Sequence, residues 1–107
     1  MYTRVVEVTS KPGKARELSR TISDKVLSLL KSQPGFVDEI TLISDQNPDQ
    51  ITTLSFWKSR EDAERYQRET FPKINDLIRN QLEGTPQVRT FDVEHSSVHK
   101  IASGKAA

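Results

Sequence analysis

The chain contains no cysteine, a single methionine and a single tryptophan, and hydrophobic residues make up only 34% of its 107 positions. Without cysteine it has neither a disulfide framework nor a thiolate metal site, and this is typical of a protein kept in a reducing cytoplasm. Lysine and arginine total 16 against 15 acidic residues. Because no strong positive field results, we expect no nucleic-acid partner.

Long hydrophobic runs are also missing. The first residues, MYTRVVEVTSK, are interrupted by Arg4 and Glu7, so this segment is neither a signal peptide nor a membrane span. We therefore expect a cytoplasmic protein without a membrane partner. Its length suits one domain, and the low apolar content favours association with another subunit.

The residues that are present alternate between strand and helix patterns. Residues 2–9 are β-branched and aromatic, which predicts a strand ended by the turn signal KPG. Residues 14–33 carry apolar side chains at steps of three and four, which predicts a helix stopped by QPG. Two further strands are predicted at 36–44 and 51–57, joined by the polar loop DQNPDQ.

After Trp57, Ser59 and Asp62 resemble a capping box that begins a second helix. Because the residue before a proline avoids the α region, this helix should break at residues 70–72. It then resumes and is expected to end at Gly84, before a last strand at residues 87–98.

The order βαββαβ predicts an α+β, ferredoxin-like fold with a four-stranded antiparallel sheet and both helices on one face. This domain should span residues 1–98, followed by a flexible tail at 99–107. The other face of the sheet is left bare and apolar. We therefore expect a homodimer in which two copies pack through that face.

Three motifs, KPGK, QPGF and FWKSREDAERYQRE, resemble the antibiotic biosynthesis monooxygenase domain, whose members form dimeric α/β barrels. The likeness covers roughly residues 1–98. The superfamily includes cofactor-independent oxygenases of polycyclic aromatics, quinol oxygenases and haem-degrading enzymes. The resemblance thus implies a monooxygenase of a small aromatic or quinol substrate that needs no cofactor; the alternative is a non-catalytic small-molecule-binding or structural dimeric module.

Catalytic residues of the family are only partly present. The asparagine, tryptophan and histidine of haem-degrading relatives fall near Val6, Tyr66 and Asn75, and an asparagine amide is a poor ligand for haem iron, which argues against haem degradation. Trp57 matches the strand-end tryptophan of the aromatic oxygenases. Thr53 stands where those enzymes have an asparagine, so the catalytic residues remain unassigned by the sequence.

We expect a ligand pocket bounded by Trp57, Tyr66, Phe71 and Asn75, because the proline break can open space between helix and sheet. Two interpretations of Trp57 stay open. It can line the pocket and stack a flat ligand, or it can pack beneath the second helix and at the dimer interface. Tyr66 and Phe71 are equally compatible with ordinary helix-to-sheet packing, and Asn75 with a solvated position.

His95 and His99, with Asp92 and Glu94 close by, invite a metal interpretation. In an extended chain, residues four apart are separated by about 13 Å, too far to share one ion. We therefore expect no metal site.

Overall fold

The computed structural model describes residues 1–97. Its elements are the strands β1 (Tyr2–Ser10), β2 (Phe36–Ile43), β3 (Gln50–Trp57) and β4 (Leu82–Asp92), and the helices α1 (Ala15–Thr21), α2 (Leu27–Lys31), α3 (Arg60–Glu69) and α4 (Phe71–Ile78). The four strands form one antiparallel sheet in the order β2-β3-β1-β4. The predicted ferredoxin-like α+β fold is confirmed. None of the helices within residues 1–97 is both long and apolar enough to cross a membrane.

Alternation along the strands divides the sheet into two faces. The inner face packs against the helices and includes Val6 and Val8 of β1 and Ile51 of β3, all of which are buried. No helix formed by residues 1–97 covers the outer face, and Leu42 and Phe91 on that side remain 49% and 48% exposed. The hydrophobic core cluster therefore lies on the inner side of the sheet, and Phe56 on the outer face is buried outside this cluster.

The first helical region is not continuous, because a π-helical turn (Ile22–Val26) separates α1 from α2. Four buried residues, Leu18, Ile22, Val26 and Leu30, recur at intervals of four. In an uninterrupted α-helix, twelve residues would rotate the last of them about 120° from the first. The wider π turn absorbs this rotation, so all four side chains face the sheet.

The start and the break of the next helical region follow the predictions. The Ser59 hydroxyl oxygen accepts a hydrogen bond from the Asp62 backbone N–H at 3.2 Å and donates one to the Asp62 carboxylate at 2.9 Å. At Thr70 the backbone departs from helical geometry (φ −117°), and α4 begins at the next residue, with Pro72 in its first turn. This break separates α3 from α4.

The predicted boundary between the last helix and the last strand was wrong. Helix α4 ends at Ile78, a 3₁₀ turn (Arg79–Gln81) follows, and β4 begins at Leu82 and ends at Asp92. Gly84 lies inside the strand with φ +76°, beside an irregularity in the pairing of β1 with β4. Glycine and proline in a strand are tolerated at such bulges and at sheet edges, so EGTP marks a bulge in an edge strand and does not end a helix.

The predicted strand also extended too far, because β4 ends at Asp92 and residues 93–97 are not part of a strand. Residue 98 and the predicted tail at residues 99–107 lie outside the described residues.

A close approach between Gly35 and α3 fixes the connection from α2 to β2. Gly35 has φ +79°, its carbonyl oxygen accepts a hydrogen bond from the Lys58 N–H at 2.8 Å, and a Cβ atom at this position would overlap the Asp62 side chain. Gly13 has a similar φ of +75° but open space around it. The two glycines therefore separate the effect of backbone strain from the effect of crowding.

We expect Gly35→Ala to lower the free energy of unfolding by about 2–4 kcal/mol, from left-handed backbone strain and the displaced Asp62 cap. Gly13→Ala should cost only the strain, about 1 kcal/mol. Urea denaturation followed by Trp57 fluorescence measures both. Equal losses in the two variants would contradict the proposed contact with α3.

Candidate functional site

A row of polar side chains crosses the inner face of the sheet. The register pairs Arg4 of β1 with Ser55 of β3, and Ser55 with Glu39 of β2. On the same face, Thr53 lies in the next row of β3. Three adjacent strands thus bring a cation, a hydroxyl and a carboxylate into line beneath the helices.

Above this row lies a cavity of about 50 Å³ between the sheet and the helices. Arg4, Glu39, Thr53 and Ser55 supply its polar floor. Its walls are mostly apolar, formed by side chains of the first helical region and of α4: Ile22, Val26, Leu30, Ile74 and Ile78. Tyr66 and Phe71, on either side of the helix break, also line it. An apolar cavity with a few convergent polar groups is the usual form of a small-molecule site.

Four aromatic rings pack in sequence beside the cavity. Trp57 contacts Phe36 edge to face, with centroids 5.7 Å apart, and Tyr66 at 4.8 Å. Tyr66 continues to Phe71 at 6.2 Å. The Trp57 indole is fully buried, and its Nε1–H donates to the Ser55 hydroxyl at 2.9 Å. Trp57 thereby joins the aromatic cluster to the polar row.

Arg4 is the most deeply buried charged side chain of the site, with 2% of its surface exposed. Its guanidinium carbon lies 4.9 Å from the centre of the Tyr66 ring and 4.7 Å from that of Phe71, within cation–π range. Nη2 also donates a hydrogen bond to Oε1 of Gln67 on α3. Burial lowers the pKa of the guanidinium from its ordinary value, yet arginine stays charged in proteins.

Burial also acts on the two acids of the site. It raises the pKa of the Glu39 carboxyl, partly offset by a hydrogen bond of 2.6 Å from the Thr41 hydroxyl. It raises the pKa of the Tyr66 phenol to about 12, although the charge on Arg4 opposes the change. At neutral pH the Tyr66 phenol is therefore protonated and can donate a hydrogen bond. The Glu39 carboxylate is a stronger base than the carboxylate of an exposed glutamate.

Of the four residues predicted to bound the pocket, Tyr66 and Phe71 line the cavity. Trp57 packs behind Tyr66 and reaches the cavity floor through its bond to Ser55. Asn75 is not among the lining residues; it is half-buried on α4, and its Oδ1 is buried without a hydrogen-bond partner among residues 1–97. The structure thus brings the three aromatic residues together at the cavity, and Asn75, one turn from Phe71 on α4, is outside its lining.

Arg4, Glu39 and Ser55 were not singled out as site residues from the sequence. One signal was available for Arg4, because it shares the alternation of Val6 and Val8 and must face the same side as those core residues. Ser55 likewise shares the alternation of Ile51 and Trp57 in β3. No comparable signal existed for Glu39, since its alignment with Arg4 depends on strand pairing across three strands.

Within residues 1–97, no three histidine or carboxylate side chains come together as metal ligands. His99, one of the two histidines considered for a metal site, lies outside the described residues.

A family model of the antibiotic biosynthesis monooxygenase matches residues 1–71. The chain belongs to this family. The match covers β1, the first helical region, the β2–β3 hairpin, α3 and the start of α4. It therefore includes Arg4, Glu39, Ser55, Tyr66 and Phe71, and the predicted family resemblance is confirmed.

Several solved structures share the fold of this chain. A cofactor-independent oxygenase from Streptomyces nogalater is 18% identical, with a TM-score of 0.74 over 89% of this chain and 94% of that one. A monooxygenase of Streptomyces coelicolor, in complex with nanaomycin D, is 16% identical, with a TM-score of 0.71 over 91% and 90%. A conserved protein from Methanosarcina mazei is 20% identical, with a TM-score of 0.71 over 88% and 94%. A search of curated proteins found no match.

The hydrogen bond from Trp57 to Ser55 is predicted to be the main polar support of the cavity floor. Ser55→Ala leaves the buried indole N–H without an acceptor, so we expect the free energy of unfolding to fall by about 1–3 kcal/mol. In a Trp57→Phe background, where no N–H exists, the same substitution should cost at least about 1 kcal/mol less. A double-mutant cycle by urea denaturation measures this coupling, and additive effects would show that the bond contributes nothing.

Proposed function

We propose that this protein is a cofactor-independent monooxygenase of a small, electron-rich aromatic molecule such as a phenol, a quinol or an anthrone. The observation that carries the proposal is the half-buried Glu39 at the polar floor of an apolar cavity, with its pKa raised by burial. Two proteins of the same fold support it, one described as a cofactor-independent oxygenase and the other bound to nanaomycin D.

Oxygenation without a cofactor requires the substrate itself to reduce dioxygen. In our proposal Glu39 removes a proton from the substrate, and Tyr66, protonated because its pKa is about 12, donates a hydrogen bond to the resulting anion. The anion passes an electron to dioxygen, and the two radicals combine to a peroxide. For an anthrone-type methylene, loss of water then completes CH₂ + O₂ → C=O + H₂O. One oxygen atom enters the product, and the substrate supplies all four electrons.

The apolar walls serve this chemistry by excluding water from the anion and from dioxygen. At about 50 Å³ the cavity is smaller than the roughly 300–1,000 Å³ of sites for drug-sized ligands. Binding of a ring therefore requires the walls to move apart. The wall elements best placed to do so are the π-helical turn and α4, which starts at the helix break.

The second candidate function is non-catalytic binding of the same class of molecule. The direct packing of Trp57 on Tyr66 favours it, because these two rings already contact each other. Trp57 then supports the protein structure and does not hold a substrate ring in place for a reaction. The two functions differ in oxygen consumption and not in affinity.

Glu39→Gln keeps the size of the side chain and an acceptor for the Thr41 hydroxyl but removes the base. We expect oxygen uptake with a panel of quinols and anthrones to fall by about 100-fold in kcat. Because Glu39 must be ionised to act, the wild-type rate should decrease as the pH falls through its pKa. Burial raises that pKa, so the decrease should lie at a higher pH than for an exposed glutamate.

Glu83→Gln, at an exposed position on β4, is the matched control and should leave the rate unchanged. If the wild-type protein binds members of the panel but consumes no oxygen with any of them, the proposed oxygenase activity is wrong and non-catalytic binding is the function to retain.

We also propose that two copies associate through the outer face of the sheet. Ile40, Leu54 and Val5 form an apolar row across β2, β3 and β1, with the exposed Leu42 and Phe91 nearby. An apolar patch of this kind on a sheet face is typical of a subunit interface. Covering it would make a closed core on both sides of each sheet.

Phe91→Asp places a charge in this face and should weaken the dimer at least tenfold, as seen by sedimentation across micromolar concentrations. Leu77→Asp alters a comparably exposed leucine, 41% exposed, on the opposite, helical side and should leave association unchanged. A wild-type protein that sediments as a monomer would overturn the proposed association.

A further inference from the structure

In the part of the chain that the structure describes, Arg4 is a buried cation without a carboxylate partner. Six ion pairs form among residues 1–97, and Arg4 takes part in none of them. Its neighbours among these residues are the faces of two aromatic rings, the phenol oxygen of Tyr66 and the neutral amide of Gln67, none of which carries a negative charge. Buried charges in proteins are normally paired, because removing them from water costs several kcal/mol that only an opposite charge offsets well.

The guanidinium also lies where two spaces meet. On one side is the cavity beneath Tyr66 and Phe71. On the other side Arg4 lines an open groove of about 200 Å³ between β1, α3 and β4, together with Tyr2, Gln67 and Thr90. The hydrogen bond from Arg4 to Gln67 is therefore made at the boundary between the cavity and the groove.

We propose that Arg4 binds the carboxylate of the ligand, and that the ligand is a hydroxylated aromatic acid whose ring lies in the cavity. This inference rests on the proposed function only in using the same cavity. A carboxylate matches the planar fork of a guanidinium with two parallel hydrogen bonds. The adjacent Tyr66 and Phe71 rings suit an aromatic body better than an aliphatic one.

The charge of the site selects a monoanion over a phosphate. Arg60, the other cation of the groove, is already paired with Glu64 at 2.8 Å, so a single unpaired positive charge is present. A phosphate dianion would remain half neutralised. One carboxylate balances Arg4 fully.

The orientation of the ligand follows from the row across the sheet. Arg4 and Glu39 lie on strands separated by β3, about 10 Å apart at the backbone, and hold opposite charges at the two ends of the cavity floor. That distance is comparable to one aromatic ring with a hydrogen-bonding group at each end. The carboxylate would be directed to Arg4 and the hydroxyl to Glu39, which places the acidic proton beside the proposed base.

The test compares 4-hydroxybenzoate with its neutral counterpart 4-hydroxybenzamide, using the full chain at neutral pH. Trp57 is the only tryptophan and packs on Tyr66, so its fluorescence reports occupation of the cavity, and calorimetry gives the affinity independently. We expect the acid to bind at least tenfold more tightly than the amide. Arg4→Gln should reduce this preference to less than twofold.

Arg68→Gln is the matched control, because Arg68 is on the same helix as Gln67 but exposed and paired with Glu69 at the surface. It should retain the full preference. If Arg4→Gln does not fold, Arg4→Lys keeps the charge without the planar fork and should leave the acid preferred by a smaller factor.

Equal affinity of the wild-type protein for acid and amide, binding of neither, or an undiminished preference in Arg4→Gln would each overturn the proposal. These outcomes can be distinguished from a failure of the proposed oxygenase activity. Acid-selective binding without oxygen uptake removes only the oxygenase, whereas oxygen uptake with neutral quinols and no preference for the acid removes only the role of Arg4.

Discussion

The register of three antiparallel strands is the constraint on which the site depends. It places Arg4, Ser55 and Glu39 side by side on the face covered by the helices. If any of these strands shifted its pairing by one residue, all of its inward-facing side chains would turn to the outer face. The burial of Val6, Val8 and Ile51 opposes such a slip, so the same apolar residues that form the core also hold the polar row in line.

The site combines groups that a stable core would ordinarily exclude. A buried guanidinium and a half-buried carboxylate lie on the floor of a cavity with apolar walls. Within residues 1–97, the contacts of Arg4 are two aromatic rings, the Tyr66 phenol and one amide, all of them uncharged. Departures of this kind from good packing are typical of functional sites, where stability elsewhere in the fold offsets them. The π turn belongs to the same set of features, since it brings Ile22 and Val26 to the cavity wall.

Local patterns predicted much of this architecture. The element order, the Ser59 cap and the break before Pro72 follow from short-range chemistry, and the structure has all three. The π turn was missed, although an apolar spacing of four maintained from Leu18 to Leu30 indicates it. The start of β4 was also missed, because the positive φ of Gly84 serves a bulge as well as it serves a helix end. Asn75 shares the broken helix with Phe71 yet is not part of the cavity lining, which helix geometry alone did not predict.

The sequence by itself determined the fold class and the family, because periodicity, caps and the motif around Trp57 each lie within a short segment. It also singled out Tyr66 and Phe71, which line the cavity. Only the tertiary structure decided that Trp57 supports the cavity floor through Ser55, and that Arg4 and Glu39 belong to one site. The reason is physical. Arg4 and Glu39 are 35 residues apart in the chain and come into one row only because both of their strands pair with β3. The burial that shifts the pKa of each side chain arises only when the helices cover that sheet.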